Sequence, residues 1–438
     1  MPVTEPFVCD NISENARAHL CFAGQDTTLL AAQYGTPLYL MDEDRVRKNC
    51  RTYMRAFAAS FPAGSRVLFA SKACAFKQMY RIAQEEGLGA DVVSCGEIYT
   101  ALQAGFELSN AYFHSNNKTD ADVAFAMDHG IGYFVVDNAE EIRVIEEAAA
   151  VRGLRQKVLL RQTPGIDPHT YASVDTGRED SKFGTAIETG QAEQAIAYTL
   201  NQPHVELAGF HCHVGSQVFA EDVFERSCVV MLEFIAEIYK KYGYLAGQLD
   251  LGGGYGVRYV GTDGHIDIAQ KIADVAKVLN ETCDRVSIPV PAILMEPGRS
   301  IVADAGMTLY TVGTVKKIPG YKNYVSIDGG MTDNPRFALY GSQYTCYCAN
   351  KLAEDASFRA DLVGRCCESG DIIQPDVLFP ESIGRGDVVA VCTTGAYNYS
   401  MASNYNRIGR PPVVMLKDGA SYLAVRRETP EDLIRLDL

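Results

Sequence analysis

Eight short apolar runs constrain this chain more than any other feature. They are Val67–Ala70, Ala90–Val93, Ala111–His114, Tyr133–Val136, Val158–Arg161, Leu207–Val214, Leu249–Leu251 and Ala292–Met295. Each is short, apolar and flanked by turn residues, which predicts strands buried on both faces. Segments with helical spacing separate them, most clearly Asp120–His129, Glu140–Arg152, Gln191–Leu200 and Asp222–Tyr242. In the last, Phe224, Cys228, Met231, Leu232, Ile235 and Ile238 recur every three or four residues and form one apolar stripe. A further helix, Glu43–Ser60, precedes the first strand. Alternating strands and helices require right-handed crossovers and a parallel sheet. Eight such units predict a (β/α)8 TIM-type barrel over residues 43–300, with an open doubly wound sheet as the alternative.

After Arg299 the pattern changes. Thr308–Lys316, Tyr324–Asp328, Asp387–Thr393, Val413–Lys417 and Tyr422–Val425 read as strands joined by short polar or glycine turns, and Asp418-Gly419 reads as a hairpin turn. This predicts a β-rich second domain, a β-barrel or sandwich, over residues 301–438. The segment 1–42, with Leu38-Tyr39-Leu40 as a strand, is expected to pack with it.

Composition removes several function classes. Among 438 residues, 40 Lys and Arg against 55 Asp and Glu give a charge of −15, the wrong sign for a nucleic-acid or anionic-membrane surface. The N-terminus lacks the basic and apolar regions of a secretory signal, and no apolar run approaches about 18 residues, so a cytoplasmic protein without membrane spans is expected. The 13 cysteines are scattered without zinc-site spacing and read as reduced thiols.

Unusual residues gather where the barrel strands end, the rim on which such barrels build their sites. Lys72 follows the first strand. There, desolvation favours a nucleophilic, Schiff-base-forming amine, although a lysine snorkelling at the strand end explains the segment equally well. His211 and His213 follow the sixth strand with Ser216 close by. An H-x-H pair can bind metal, but no other histidines cluster with it in the sequence, so an imidazole beside a ring cofactor is preferred and no metal is expected. Gly252, Gly253 and Gly254 follow the seventh strand and can present N–H groups to a phosphate. Glu296, Gly298 and Arg299 follow the eighth; the acid and the arginine could simply pair, or they could offer an acceptor for a protonated ring nitrogen and a fork for a carboxylate. Beyond the barrel lie three islands, each on its own as readily a structural loop as a site. They hold Arg336 and Tyr340, then Cys366, Cys367, Glu368 and Asp371, then the aromatic loop 394–406 with Tyr397.

In order, these islands resemble the meso-diaminopimelate decarboxylases. The matching pieces are Ser71-Lys72-Ala73, Asp91 with the three residues after it, the segments around His169, Thr176 and Asp180, the run His213–Gln217, Gly252–Gly254, Glu296–Arg299, Asp333–Arg336 with Tyr340, Cys367–Asp371, and the 395–406 loop. They span the chain from about Tyr34 onward. The resemblance implies an alanine-racemase-like fold, pyridoxal 5'-phosphate as cofactor, and release of L-lysine and carbon dioxide from diaminopimelate. It implies that Lys72 holds the cofactor covalently and that Asp91 and Gly298 belong to its site. His213 would stack on the ring, and Glu296 would pair with the ring nitrogen. Ser216, Tyr397 and the glycines at 252–254 would hold the phosphate. Arg299, Arg336 and Tyr340 would take the distal carboxylate. Cys367, as acid, and Glu368 would come from the partner subunit of a homodimer. A lid over residues 167–181 is also expected. The chain departs from the family's usual pattern at Ala70-Ser71-Lys72-Ala73-Cys74, where Ala-Leu-Lys-Ala-Asn is common, and at Gln162-Thr163-Pro164, where Asn-Pro is common. Cys366 also precedes the expected thiol. Rival readings are an ornithine, arginine or carboxynorspermidine decarboxylase on the same fold, a non-catalytic homologue, and a metal hydrolase.

Overall fold

A computed structural model describes residues 7–166, 181–220 and 222–438. The chain divides into two compact units. One comprises Asn49–Gly256 and His265–Ser300, and the other Met1–Lys48, Val257–Gly264 and Ile301–Leu438.

The first unit is a closed barrel. Its strands are β1 (Arg66–Ala70), β2 (Gly89–Val92), β3 (Ala111–Phe113), β4 (Tyr133–Val136), β5 (Gln156–Thr163), β6 (Val205–His211), β7 (Gln248–Asp250) and β8 (Ala292–Met295). Neighbours pair in parallel in chain order, and β8 returns to β1 through Leu294↔Arg66 and Met295↔Val67. All eight expected strands are present, and closure rules out the open sheet. The interior is filled by side chains from several strands, among them Leu68, Tyr112, Tyr133, Leu159 and Leu294, with the Tyr112 and Tyr133 rings stacked 4.3 Å apart.

Polar caps start several helices soon after their strands. Ser94 caps Cys95–Ala104, Thr119 forms a capping box for Asp120–Asp128, and Asn138 caps Ala139–Arg152. Lys77–Glu85, Cys95–Ala104 and Ile268–Val286 join the helices expected from spacing. Among the described residues no helix is long and apolar enough to cross a membrane.

The second unit is built on mixed sheet. Leu38–Asp42 lies between Gly306–Ile318, antiparallel to it, and Val413–Lys417, parallel to it. The N-terminal strand is therefore central to this sheet. Leu38, Leu40, Met307, Leu309, Ala390 and Val414 pack with Ile12, Leu20, Phe22 and Leu30 in one apolar core. The turn at Asp418-Gly419 has φ of 49° and 76° and joins paired residues Lys417 and Ala420, as a two-residue hairpin requires. Two further strands, Ala356–Val363 and Ile372–Pro380, extend the sheet beyond Lys322–Ile327. Among the expected features, the matches around His169, Thr176 and Asp180, and nearly all of the 167–181 lid, lie outside the described residues.

Candidate active site

Each barrel strand aims its last residues at the rim, and the groups singled out from the sequence collect there. Lys72 lies in the link after β1, and its Nζ lies 2.6 Å from Oδ2 of Asp91 near the end of the neighbouring β2. Asp91 is fully buried, whereas the lysine side chain keeps 41% of its exposure. The amine is thus anchored by a buried carboxylate while its side chain stays partly exposed.

Glu296, just past β8, is buried between two imidazoles. His114 Nε2 lies 2.7 Å from Oε1, and His211 Nε2 lies 3.4 Å from Oε2. Burial alone would raise the Glu296 pKa, but the two histidines outweigh it and hold the carboxyl well below its usual range. Asp250 is driven the other way, by burial and then by the Glu296 charge, which raise its pKa well above the usual carboxyl range. His211 is pushed down to about 4, with burial the largest cause. At neutral pH a neutral His211 therefore donates to an anionic Glu296.

His114 went unrecognised in the sequence, where no further histidine clusters with the His211–His213 pair. The fold corrects that reading. It places the His114 and His211 rings 5.0 Å apart, because β3 and β6 point the ends of their chains into the same interior. The strand-end rule that singled out Lys72 and Glu296 would also have found it. The ligand atoms of His114, His211 and Glu296 lie within 4.8 Å of one another, close enough for a metal ion; the ion pairs of the two imidazoles with the carboxylate also bring these atoms together, although His114 Nε2 and Glu296 Oε1 make no hydrogen bond among the described residues.

The glycine loop after β7 is held tightly. Gly252 N–H donates to Asp250 Oδ1 at 2.8 Å, and Gly253 N–H donates to His213 Nδ1 at 3.3 Å. His213 is half-buried, and desolvation of its ring holds its pKa well below the usual range, consistent with an accepting Nδ1. A Cβ on Gly253 would stand 2.1 Å from the Glu296 carbonyl oxygen, so only glycine lets this loop approach the strand that carries Glu296. Arg299 Nη2 donates to Ser216 Oγ at 3.0 Å, which places a cation beside a hydroxyl at the same rim. Gly298 packs against Ala70, the last residue of β1.

This donor set fits pyridoxal phosphate. A lysine amine on a partly exposed side chain is anchored by a carboxylate, a buried anion can face a protonated ring nitrogen, and a guanidinium–hydroxyl pair can face a phosphate.

In the second unit the three islands meet. Arg336 is buried, and its guanidinium lies over the rings of Tyr340 and Tyr397 at 5.4 and 5.2 Å. Among the described residues its Nε has no hydrogen-bond partner. Tyr397 takes φ of 69°, a left-handed conformation uncommon for a bulky residue. Cys367 N–H donates to Asn406 Oδ1 at 2.8 Å, and Ser403 N–H donates to the Thr332 carbonyl at 2.8 Å. All 13 cysteines are free thiols, and Cys367 alone is exposed. Cys366 lies against Asp371 and Thr332, where burial and then the Asp371 charge push its thiol up to about 12. Glu368 is exposed and accepts from Gly370 N–H at 3.1 Å.

Comparison with known proteins agrees with this chemistry. Residues 43–303 match the family model described as "Pyridoxal-dependent decarboxylase, pyridoxal binding domain". Diaminopimelate decarboxylase of Bacillus subtilis is 43% identical over 97% of this chain and 96% of its own length. That of Staphylococcus aureus is 42% identical over 97% and 98%. A crystal structure of the M. jannaschii diaminopimelate decarboxylase in co-complex with L-lysine superposes with a TM-score of 0.91 at 32% identity, covering 99% of this chain and 98% of that one. A barrel rim equipped for pyridoxal phosphate and near-full-length likeness to these enzymes lead to one conclusion: the chain belongs to the diaminopimelate decarboxylase family of pyridoxal-dependent decarboxylases.

Proposed function

We propose that this chain is the carboxy-lyase that converts meso-2,6-diaminopimelate to L-lysine and carbon dioxide, the last step of lysine biosynthesis, with pyridoxal 5'-phosphate as cofactor. The observation that carries the residue assignment is the rim triad of Lys72 anchored by Asp91 beside a Glu296 held anionic by two histidines.

When bound, pyridoxal phosphate supplies the electron sink for the charge left at the α-carbon by loss of carbon dioxide. The protein's own groups orient, bind and move protons. Lys72 holds the cofactor, and Asp91 fixes its Nζ. Glu296 keeps a proton on the ring nitrogen, His213 stacks against the ring, and Gly298 lets the Glu296 turn lie close to β1. Ser216, Arg299, Tyr397 and the loop Gly252–Gly254 meet the phosphate. Two of the three glycine N–H groups already donate to protein groups, Gly252 to Asp250 and Gly253 to His213, so the Gly254 N–H is the one assigned to the ligand.

Arg336 and Tyr340, with Arg299, take the distal carboxylate, and Glu368 takes the distal ammonium. A buried guanidinium whose Nε has no partner among the described residues supports that role for Arg336. A substrate without the carboxylate would leave such a group unpaired, at a cost of roughly 1–3 kcal/mol. Cys367 is the acid that protonates the α-carbon. Its exposure supports delivery, with Glu368, to the partner subunit of a homodimer in the cytoplasm. The barrel domain is taken as residues 43–300, flanked by segments 1–42 and 301–438.

Carbon dioxide release from meso-diaminopimelate, with and without added cofactor and against lysine, ornithine and arginine, tests the assignment. Release only from diaminopimelate, and only with cofactor, is expected. Release from ornithine or arginine in preference would refute it.

A further inference from the structure

Two loops that the proposed chemistry uses leave the same end of neighbouring strands. Lys322–Ile327 and Ala356–Val363 pair in parallel, with Tyr324↔Asp361, Val325↔Leu362 and Ser326↔Val363. Residues 328–335, which lead into Arg336, follow the first strand. Residues 364–371, which carry Cys367 and Glu368, follow the second and turn back into Ile372–Pro380.

One buried side chain joins the two loops. Asp371 Oδ1 accepts from Met331 N–H at 2.6 Å, and Oδ2 accepts from Cys366 N–H at 2.7 Å. Its exposure is 4%. Both oxygens are therefore used on backbone donors of two different loops, the strong charge-assisted case. The backbone adds Arg365 N–H to the Gly329 carbonyl at 3.0 Å, and Gly364 N–H to the Asp371 carbonyl at 3.0 Å. The carboxylate lies flat between two glycines: a Cβ on Gly364 would stand 2.3 Å from Oδ2, and one on Gly330 2.6 Å from the same oxygen. No larger residue fits at either position without moving the carboxylate.

We propose that Asp371 is a positioning residue that locks the Cys367–Glu368 loop to the loop bearing Arg336, fixing the proton donor relative to the carboxylate-binding arginine. This rests on the roles given to Cys367 and Arg336 above. On that reading Arg336 serves the substrate of its own chain and Cys367 that of the partner subunit, so one carboxylate ties together elements of both active sites in a dimer. The thiol that touches Asp371 is Cys366, which explains a double cysteine in which the first is structural and the second is presented outward.

Asp371→Asn keeps the shape but turns an amide NH2 toward one of the two backbone donors. In cofactor-loaded enzyme without substrate, backbone hydrogen exchange should rise in both 328–336 and 364–371 and nowhere else. Alkylation of Cys367 should change several-fold, and the cofactor's visible band should be retained. With diaminopimelate, kcat should fall roughly 10- to 100-fold, the scale of a displaced catalytic group, and KM should rise as well. Asp371→Ser, smaller and with one acceptor oxygen, repeats the measurement if the asparagine variant does not fold. Unchanged exchange in either loop, or unchanged Cys367 alkylation, overturns the lock. A rise in exchange throughout the molecule also overturns it, since that marks a merely structural residue. Arg336→Ala and Cys367→Ala, measured in parallel, separate the two ideas. If both turn over normally, the roles beneath the proposal are wrong, whereas the exchange pattern of the Asp371 variants judges the lock itself.

Discussion

His114 Nε2 stands 2.7 Å from Oε1 of Glu296, a contact between residues 182 positions apart that closes one side of the carboxylate at the barrel rim. His211 closes the other side at 3.4 Å. Removing His114 takes away one of the two groups that hold Glu296 anionic, so its pKa should rise. His114→Ala should therefore move the acidic limb of the kcat–pH profile to higher pH and lower kcat about tenfold, equivalent to about 1.4 kcal/mol. A profile that keeps its limb would show that His114 does not support the Glu296 charge.

Lys72→Ala should abolish the visible absorbance of the bound cofactor, because no other amine is assigned to hold it. The apparent affinity for pyridoxal phosphate should fall together with the band. Persistence of the band would place the covalent link elsewhere.

The adjacent thiols should behave as opposites. Cys366, pushed up to about 12 by burial and the neighbouring Asp371, stays protonated and shielded at pH 8. Cys367 is exposed. Peptide mapping after brief iodoacetamide treatment should find Cys367 modified well before Cys366. Cys367→Ala should cut turnover while leaving the cofactor bound, and the same loss from Cys366→Ala instead would reverse the assignment.

Arg336→Ala removes a buried fork flanked by two aromatic rings. A loss of roughly 1–3 kcal/mol in substrate binding corresponds to a KM for diaminopimelate raised about 5- to 150-fold. An unchanged KM would exclude Arg336 from the substrate.

Asp333 makes a pH-dependent contribution to stability. It is fully buried, and burial raises its pKa to about 7, although the Tyr310 hydroxyl and Gly330 N–H both donate to it. The folded state therefore holds this proton more tightly than the unfolded chain does. The contribution is complete below the unfolded carboxyl value near 4 and is lost as pH rises through about 7, with a slope of at most about 1.4 kcal/mol per pH unit. Urea midpoints measured from pH 5.5 to 8.5 should show this fall relative to Asp333→Asn, with the difference levelling above pH 7. A constant difference would mean that Asp333 does not titrate in this range.

Legibility in the sequence followed the physics of burial. The eight barrel strands could be read because parallel strands covered on both faces must be short continuous apolar runs. The strand at Leu38-Tyr39-Leu40 could be read for the same reason. Ala356–Val363 and Ile372–Pro380 could not, because Arg359, Asp361, Gln374 and Asp376 interrupt them, and only pairing with neighbouring strands fixes their conformation. Lys72, Glu296 and the glycine loop were legible because they follow strand ends.

The architecture, the family and the residue types available to the chemistry were legible from the chain alone, since periodicity and motif order are local properties. Which groups act on one another depended on the folded arrangement. His114 reaches Glu296, Asp371 ties Met331 to Cys366, and Asn406 holds Cys367. Each contact joins at least one group distant in the chain, and its length is set by strand register and loop closure, which no local pattern encodes. The same holds for charge. Glu296 and Asp250 are both buried carboxyls, and their pKa values are pushed in opposite directions because the fold gives one of them two imidazoles and the other a neighbouring carboxylate.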